Sequence, residues 1–257
     1  MKPAMYSIDI LIQGFPGRAV CHGGLGWSTI ALLRGEGRIA LLDVGAFGVR
    51  RELREQLAAR GVTPDEVTDV VLTHAHYDHA VNFVLFPNAR VWIGDEELNW
   101  AAAQPPGFNP LPELYVRELV CLPRLQRLKP GDQPLPGLTA LDASGHTPGH
   151  LFFVLDTHPV PVIFTGDSAK NRAELLSMAV DQSENHDESQ ITLERIWAYW
   201  RRVPGTLLVP GHDMTMRLDE SGAPQYLGER KAAIAAWFSE SIHTMTRFDL
   251  CCPTEKA

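Results

Sequence analysis

An α/β domain with helix-covered sheets is the fold class this chain predicts, and three observations predict it. Short apolar runs recur along the sequence, and many end in Gly, Asp or His. Segments with helical periodicity lie between some of them. Neither an internal repeat nor a low-complexity tract breaks the alternation. Runs that are apolar almost throughout suit strands buried on both faces, which needs helices as cover.

The elements follow in order. Arg38 to Gly45, Val67 to Thr73 and Ala89 to Gly94 read as strands. Between the first two, Val49 to Arg60 sets Leu53 and Leu57 one helical turn apart among charges, and Gly61 closes the helix. Leu138 to Asp142 is a strand leading into Ser144, Gly145 and His146; Val160 to Asp167 and Thr206 to His212 are two more. Glu188 to Val203 predicts a helix with Ile191, Ile196, Trp197 and Trp200 in an apolar stripe. Gln225 to Ile242 predicts a C-terminal helix with Ala233, Ala236, Trp237 and Ile242 inward. Gln104 to Pro136 is Pro-rich, with a short helical piece around Leu114 to Val120. Its Leu111, Tyr115, Val116, Leu119 and Leu122 are too apolar for a linker, so it reads as an insertion on one domain spanning 1–257.

The chain of 257 residues is 45% hydrophobic, enough for one large core. A net charge of −8 argues against a nucleic-acid partner, which calls for a basic patch. Cys21, Cys121, Cys251 and Cys252 show no metal-finger spacing, and scattered thiols fit a reducing compartment. There is no signal-peptide layout, and no apolar run near the roughly 18 residues that cross a bilayer. The expectation is a cytoplasmic protein with a small-molecule partner and no membrane contact; oligomeric state is open.

Chemistry concentrates in Thr73 to His79, where His74, His76, Asp78 and His79 crowd into six positions. Imidazole and carboxylate are the usual ligands of zinc and similar divalent ions. A bound cation offsets the desolvation and repulsion of such crowding. Three other strand ends carry the same ligand types: His146, with His150 after Thr147, Pro148 and Gly149; Asp167 after Gly166; and His212 after Gly211. Ligands collect outside the carboxyl ends of strands in α/β sheets, so these can converge. The glycines before His146, Asp167 and His212 suit tight turns that aim the side chain. His22, His158, His186 and His243, taken singly, read as polar surface residues.

The run His74-x-His76-x-Asp78-His79, followed by His146, Asp167 and His212 each after a strand, resembles the metallo-β-lactamase superfamily from about Gly24 to His212. The resemblance implies a four-layer αββα sandwich with two divalent metal ions at one edge. Zinc is the expected metal, and manganese or iron suits the same ligands. His74, His76 and His146 would hold one ion, Asp78, His79 and His212 the other, and Asp167 would bridge them. Asp43, before Val44 and Gly45, matches an aspartate that orients an imidazole ligand, with a plain turn role as its alternative. The implied mechanism is hydrolysis by a hydroxide bridging the metals, with Asp78 as catalytic proton carrier. No Gly-x-Ser-x-Gly nucleophile turn is present.

The substrate class is less legible. The segment Asp78 to Asn88 looks lactonase-like and glyoxalase II-like, which implies a carbonyl ester: a lactone, carboxylic ester or thioester. Phe108, Leu111, Leu114 and Tyr115 could wall an acyl pocket or simply pack. A phosphodiesterase or ribonuclease of the same fold is the alternative, and a non-catalytic binding protein a third reading. Lys170, Asn171 and Arg172 could hold a substrate anion at a helix start. Tyr77 could donate to an oxyanion, His150 could support a ligand, and Asp181 to Asp187, with His186, could form a lid or a helix cap.

Overall fold

The computed structural model describes residues 5–19, 25–108, 110–156 and 159–251. Its first sheet has six strands in sequence order: β1 (Tyr6–Ile12), β2 (Ile30–Gly35), β3 (Arg38–Leu42), β4 (Asp69–Val71), β5 (Arg90–Gly94) and β6 (Leu125–Leu128). β1 to β3 are antiparallel; β3 to β6 are parallel. Glu36 and Gly37, both at positive φ, make the two-residue turn between β2 and β3, the turn whose twist matches a hairpin. The parallel crossovers carry α1 (Arg50–Ala58), α2 (Tyr77–Ala80), α3 (Asp95–Ala103) and α4 (Glu113–Val120).

The second sheet also runs in sequence order: β7 (Leu138–Asp142), β8 (Leu151–Leu155), β9 (Val162–Gly166), β10 (Leu207–Pro210), β11 (Met216–Leu218) and β12 (Pro224–Tyr226). Only β9 and β10 are parallel, and their crossover carries α5 (Arg172–Ser177) and α6 (His186–Arg202). Period-2 alternation sorts the side chains into three apolar layers. Ile30, Leu32 and Leu41 pack under α1 with Leu53 and Leu57. Ala31, Leu33, Leu42, Phe153, Val162 and Phe164 fill the space between the sheets. Phe152, Ile163 and Leu208 meet Leu193, Ile196 and Trp200 of α6. The order is therefore helix, sheet, sheet, helix, as the resemblance implied. Among the described residues, no helix is long and apolar enough to cross a membrane.

Three expectations need correction. The helix expected from Gln225 to Ile242 is instead the end of β12 followed by a hairpin, β13 (Ala233–Ala236) and β14 (Thr246–Asp249). Trp237 and Ile242, expected inward, are exposed. Alanine-rich propensity yields there to pairing with a Thr- and Phe-containing strand. Ile191, assigned to the buried stripe of α6, faces solvent, whereas Ile196, Trp197 and Trp200 are buried as expected. Part of the insertion at 104–136 belongs to the sheet itself, because β6 pairs with β5. Within it Leu111, Val116 and Leu119 are buried and Leu114 is exposed. Cys121 and Cys251 are free thiols; Cys21, Cys252, His22 and His158 lie outside the described residues.

Candidate metal centre

Four strands of the two sheets end at one rim, and each delivers ligand-type side chains there. β4 runs into Thr73 to His79, β7 into the turn with His146, β9 into Asp167 and β10 into His212. Backbone bonds lock the rims together: Leu151 N donates to Thr73 O at 3.0 Å and Thr29 N to Gly211 O at 2.6 Å. Two glycines are obligatory at this junction. A Cβ on Gly166, at φ +50°, would stand 2.6 Å from Thr73 Oγ1, and one on Gly211 would stand 2.5 Å from Asp167 Oδ1.

All seven expected ligands converge. Their donor atoms form the groups His74, His76 and His146; His74, His79 and Asp167; and Asp78, His79 and His212, each within 4.8 Å. Asp167 faces both sides. Its Oδ1 lies 3.1 Å from Nε2 of His79 and of His212, and its Oδ2 3.4 Å from His146 Nε2. Asp78 Oδ2 lies 3.2 Å from His212 Nε2.

Hydrogen bonds at the back of the rings dictate which nitrogen is bare. His79 Nδ1 donates to Asp43 Oδ2 at 2.8 Å, so Nε2 is the nitrogen turned toward the centre and free to take a cation once its own proton leaves. His146 Nδ1 donates to Gln182 O at 2.8 Å with the same result. His74 Nδ1 lies 3.0 Å from Thr73 Oγ1, whose hydroxyl donates to Asp43 Oδ2 at 2.9 Å. Asp43 thus orients His79 directly and His74 through Thr73. Its other oxygen accepts from Thr73 N at 2.8 Å. These bonds secure Asp43 at φ +53°, a left-handed backbone that non-glycine residues adopt infrequently.

Charge divides the cluster. Burial pushes His74 and His146 well below the usual imidazole range and His76 to about 4. These rings are neutral near pH 7, as metal ligands must be. Burial pushes His79 and His212 down as well, but the neighbouring carboxylates, Asp167 foremost, outweigh it. His79 ends well above its ordinary value and His212 at about 9. Burial raises Asp78 and Asp167, and the same two imidazoles more than reverse that, so both carboxyls titrate low.

The residues present fit a cation pair. His74 Nε2 is buried with no hydrogen-bond partner, and such an orphan costs about 1–3 kcal/mol. Nε2 of His79 and Nε2 of His212 face each other at 3.3 Å, and His146 Nε2 faces His76 Nδ1 at 3.0 Å. Ring nitrogens set this close share a proton or surround a cation.

Other expected residues have definite places. His150 is fully buried; its Nε2 accepts from Asp167 N at 3.1 Å and its ring lies 4.7 Å from that of His74. Lys170 is engaged by Glu174 at 2.9 Å and by Asp181 O at 2.6 Å. Asn171 caps α5, and Arg172 Nε donates to Pro224 O. The donors expected to hold a substrate anion are thus occupied. Tyr77 is exposed, and its N–H donates to Pro110 O. The loop before α6 ends in a cap supplied by Asn185, and His186 is exposed.

Three supports escaped the sequence reading. Thr73 and Gln182 orient imidazoles, the latter through a carbonyl that any residue type offers. Glu97, wholly buried, accepts from Ala75 N at 2.9 Å and Thr147 Oγ1 at 2.6 Å, joining the two loops that carry His74, His76 and His146. Burial raises its carboxyl to about 7. An acidic residue near the start of a helix carries no sequence signal of such a role.

Comparison with known proteins agrees with this geometry. Residues 23–212 match the family model described as the metallo-beta-lactamase superfamily. Metallo-beta-lactamase domain-containing protein 1 of Mus musculus is 45% identical over 56 residues, 22% of this chain and 22% of that protein. An N-acyl homoserine lactonase of a Bacillus species is 30% identical over 112 residues, 42% of this chain and 41% of that one. The matched stretches thus span about a fifth to two fifths of these relatives' lengths. Among solved structures, a dizinc quorum-quenching lactonase in complex with a product aligns with TM-score 0.64 and 17% identity over 79% of each chain.

Proposed function

The chain belongs to the metallo-beta-lactamase superfamily, and on that premise we propose that it is a two-metal hydrolase of carbonyl esters, of lactone or thioester type. His74, His76 and His146 would hold one divalent ion and Asp78, His79 and His212 the other, with Asp167 placed between the two sets. When bound, the pair supplies a hydroxide nucleophile at neutral pH and polarises the scissile carbonyl. The protein's own residues do the rest. Asp43, Thr73 and Gln182 keep the ligand nitrogens bare and aimed. Asp78, whose side chain is 16% accessible against 7% for Asp167, is the acidic ligand more open to the rim and carries the proton.

The observation that carries the substrate class is an aromatic wall beside the ligands. The Trp100 ring lies 6.4 Å from that of His76, and Phe108 meets Trp100 edge-on at 5.9 Å. Such a surface suits an acyl chain and offers nothing to a phosphate backbone. Leu111, expected in the same wall, is buried, and Leu114 points to solvent. The net charge of −8 and the free thiols of Cys121 and Cys251 favour a small-molecule substrate in a reducing compartment.

Metal analysis and a substrate panel test the reading. About two equivalents of bound metal are expected; less than one counts against two ions. Lactones, thioesters and bis-p-nitrophenyl phosphate, with His76→Ala as control, should show ester turnover abolished by the substitution. Phosphodiester turnover far above ester turnover would reverse the assignment.

A further inference from the structure

The hairpin of β13 and β14 is at odds with the rest of the molecule. Its strands pair only with each other among the described residues, and an isolated two-stranded hairpin is marginal in water. Its base is anchored: Arg230 pairs with Asp213, Ala232 is buried, and Leu250 N donates to Ala232 O at 2.8 Å. Beyond that base the apolar side chains turn outward. Ile234, Trp237, Phe238, Ile242, Met245 and Phe248 are all exposed, Phe238 by 75% and Ile242 by 79%. Six large apolar side chains left open on one short hairpin form the kind of surface a partner covers.

We propose that the outer edge of β14 pairs antiparallel with β14 of a second copy across a two-fold axis at Phe248, making a four-stranded sheet. The pairing of Ile234 with Phe248 and of Ala235 with Arg247 puts Phe248 on one face of the hairpin and Arg247 and Asp249 on the other. A two-fold axis at Phe248 sets Phe248 against Phe248 on the first face. On the second it sets each Arg247 opposite the other copy's Asp249. One edge is therefore complementary to itself in shape and charge, as an isologous contact requires. Phe238, which packs edge-on against Phe248 at 6.0 Å, extends the joined apolar face. The edge of β13, with Ala233, Ala235 and Ala236, has no comparable match. Between Ala233 and Leu250 the ionised side chains are Glu240, Arg247 and Asp249. A hairpin of this charge lacks the basic face that draws an apolar surface to an anionic membrane.

Sedimentation equilibrium on the full chain should give twice the 28.5 kDa chain mass. Arg247→Asp and Asp249→Arg should each raise the dimer dissociation constant about tenfold, and the double variant should restore it to within about threefold. Phe248→Asp should raise it at least about a hundredfold while leaving metal content and far-UV circular dichroism unchanged. A wild-type monomer at 100 µM overturns the proposal. So does charge-variant dimerisation equal to wild type, a double variant no better than the singles, or wild-type protein pelleting as monomer with phosphatidylserine vesicles.

Discussion

The rings of His74 and His79 lie 4.3 Å apart, yet one is held neutral and the other is drawn toward the cation. His74, His76 and His146 are buried imidazoles kept neutral by loss of water. Asp78, His79 and His212 form an internally charged group in which the carboxylates pull the imidazoles toward the cation. Burial is common to both, so the difference is the carboxylates. On the proposed two-metal reading, two faces of one short peptide, Thr73 to His79, would make two different metal environments. One ion would enter a neutral pocket, while the other would replace protons.

Removing the residue the groups share should have the largest effect. Asp167→Ala should cost at least about 10³-fold in kcat/KM on an ester and reduce bound metal below one equivalent, measured by plasma emission spectroscopy. Retention of two ions would mean that Asp167 does not join them. His212→Ala should separate the groups. It should leave about one equivalent of metal, held by the imidazole trio, with activity down about 10²–10³-fold. Loss of both ions would show that the trio does not bind alone.

Asp43 and Thr73 distinguish the groups one step further out. Asp43→Asn should lower activity or metal affinity about 10–100-fold, because it touches His79 directly and His74 through Thr73. Thr73→Val breaks only the His74 branch and should cost at most about tenfold on the same assay. Equal losses would put the weight of Asp43 on Thr73 rather than on His79.

The smallest effect is on the pH dependence of stability in the metal-free protein, measured by urea denaturation in chelator. His76 titrates at about 4 when folded and near 6.5 when unfolded. Between these values the unfolded chain binds the extra proton, so stability falls as pH drops from 6.5 to 4. His212 titrates at about 9 when folded, so its contribution is full below 6.5 and is lost as pH rises from there to 9. Stability should peak between the two limbs. Adding metal should raise stability and cancel the upper limb, because the cation replaces the proton His212 would otherwise hold.

Much of the site was legible because ligand chemistry restricts residue type. Only imidazoles and carboxylates could explain Thr73 to His79, and the glycines before Asp167 and His212 flagged backbone crowding that the structure locates at Thr73 and at Asp167 itself. The supports were not legible, since a threonine, an acid near a helix start and a main-chain carbonyl have many commoner uses. In the fold, β2 and β8 went unassigned although they are buried on both faces, while β3, β4, β5, β7, β9 and β10 were read correctly. Ile191 and the segment from Gln225 to Ile242 were not, because apolar spacing does not reveal whether a neighbour exists to cover it.

The sequence by itself determined the α/β class and marked the seven candidate ligands and their places after strands, because local propensity and side-chain chemistry are properties of single residues and short runs. Only the tertiary structure decided which ligand nitrogens are bare, which imidazoles are neutral, that Glu97 ties together the loops bearing His74, His76 and His146, and that the C-terminal segment is an uncovered hairpin. Those outcomes depend on distances between residues far apart in the chain, and electrostatic and packing energies follow distance in space rather than separation in sequence.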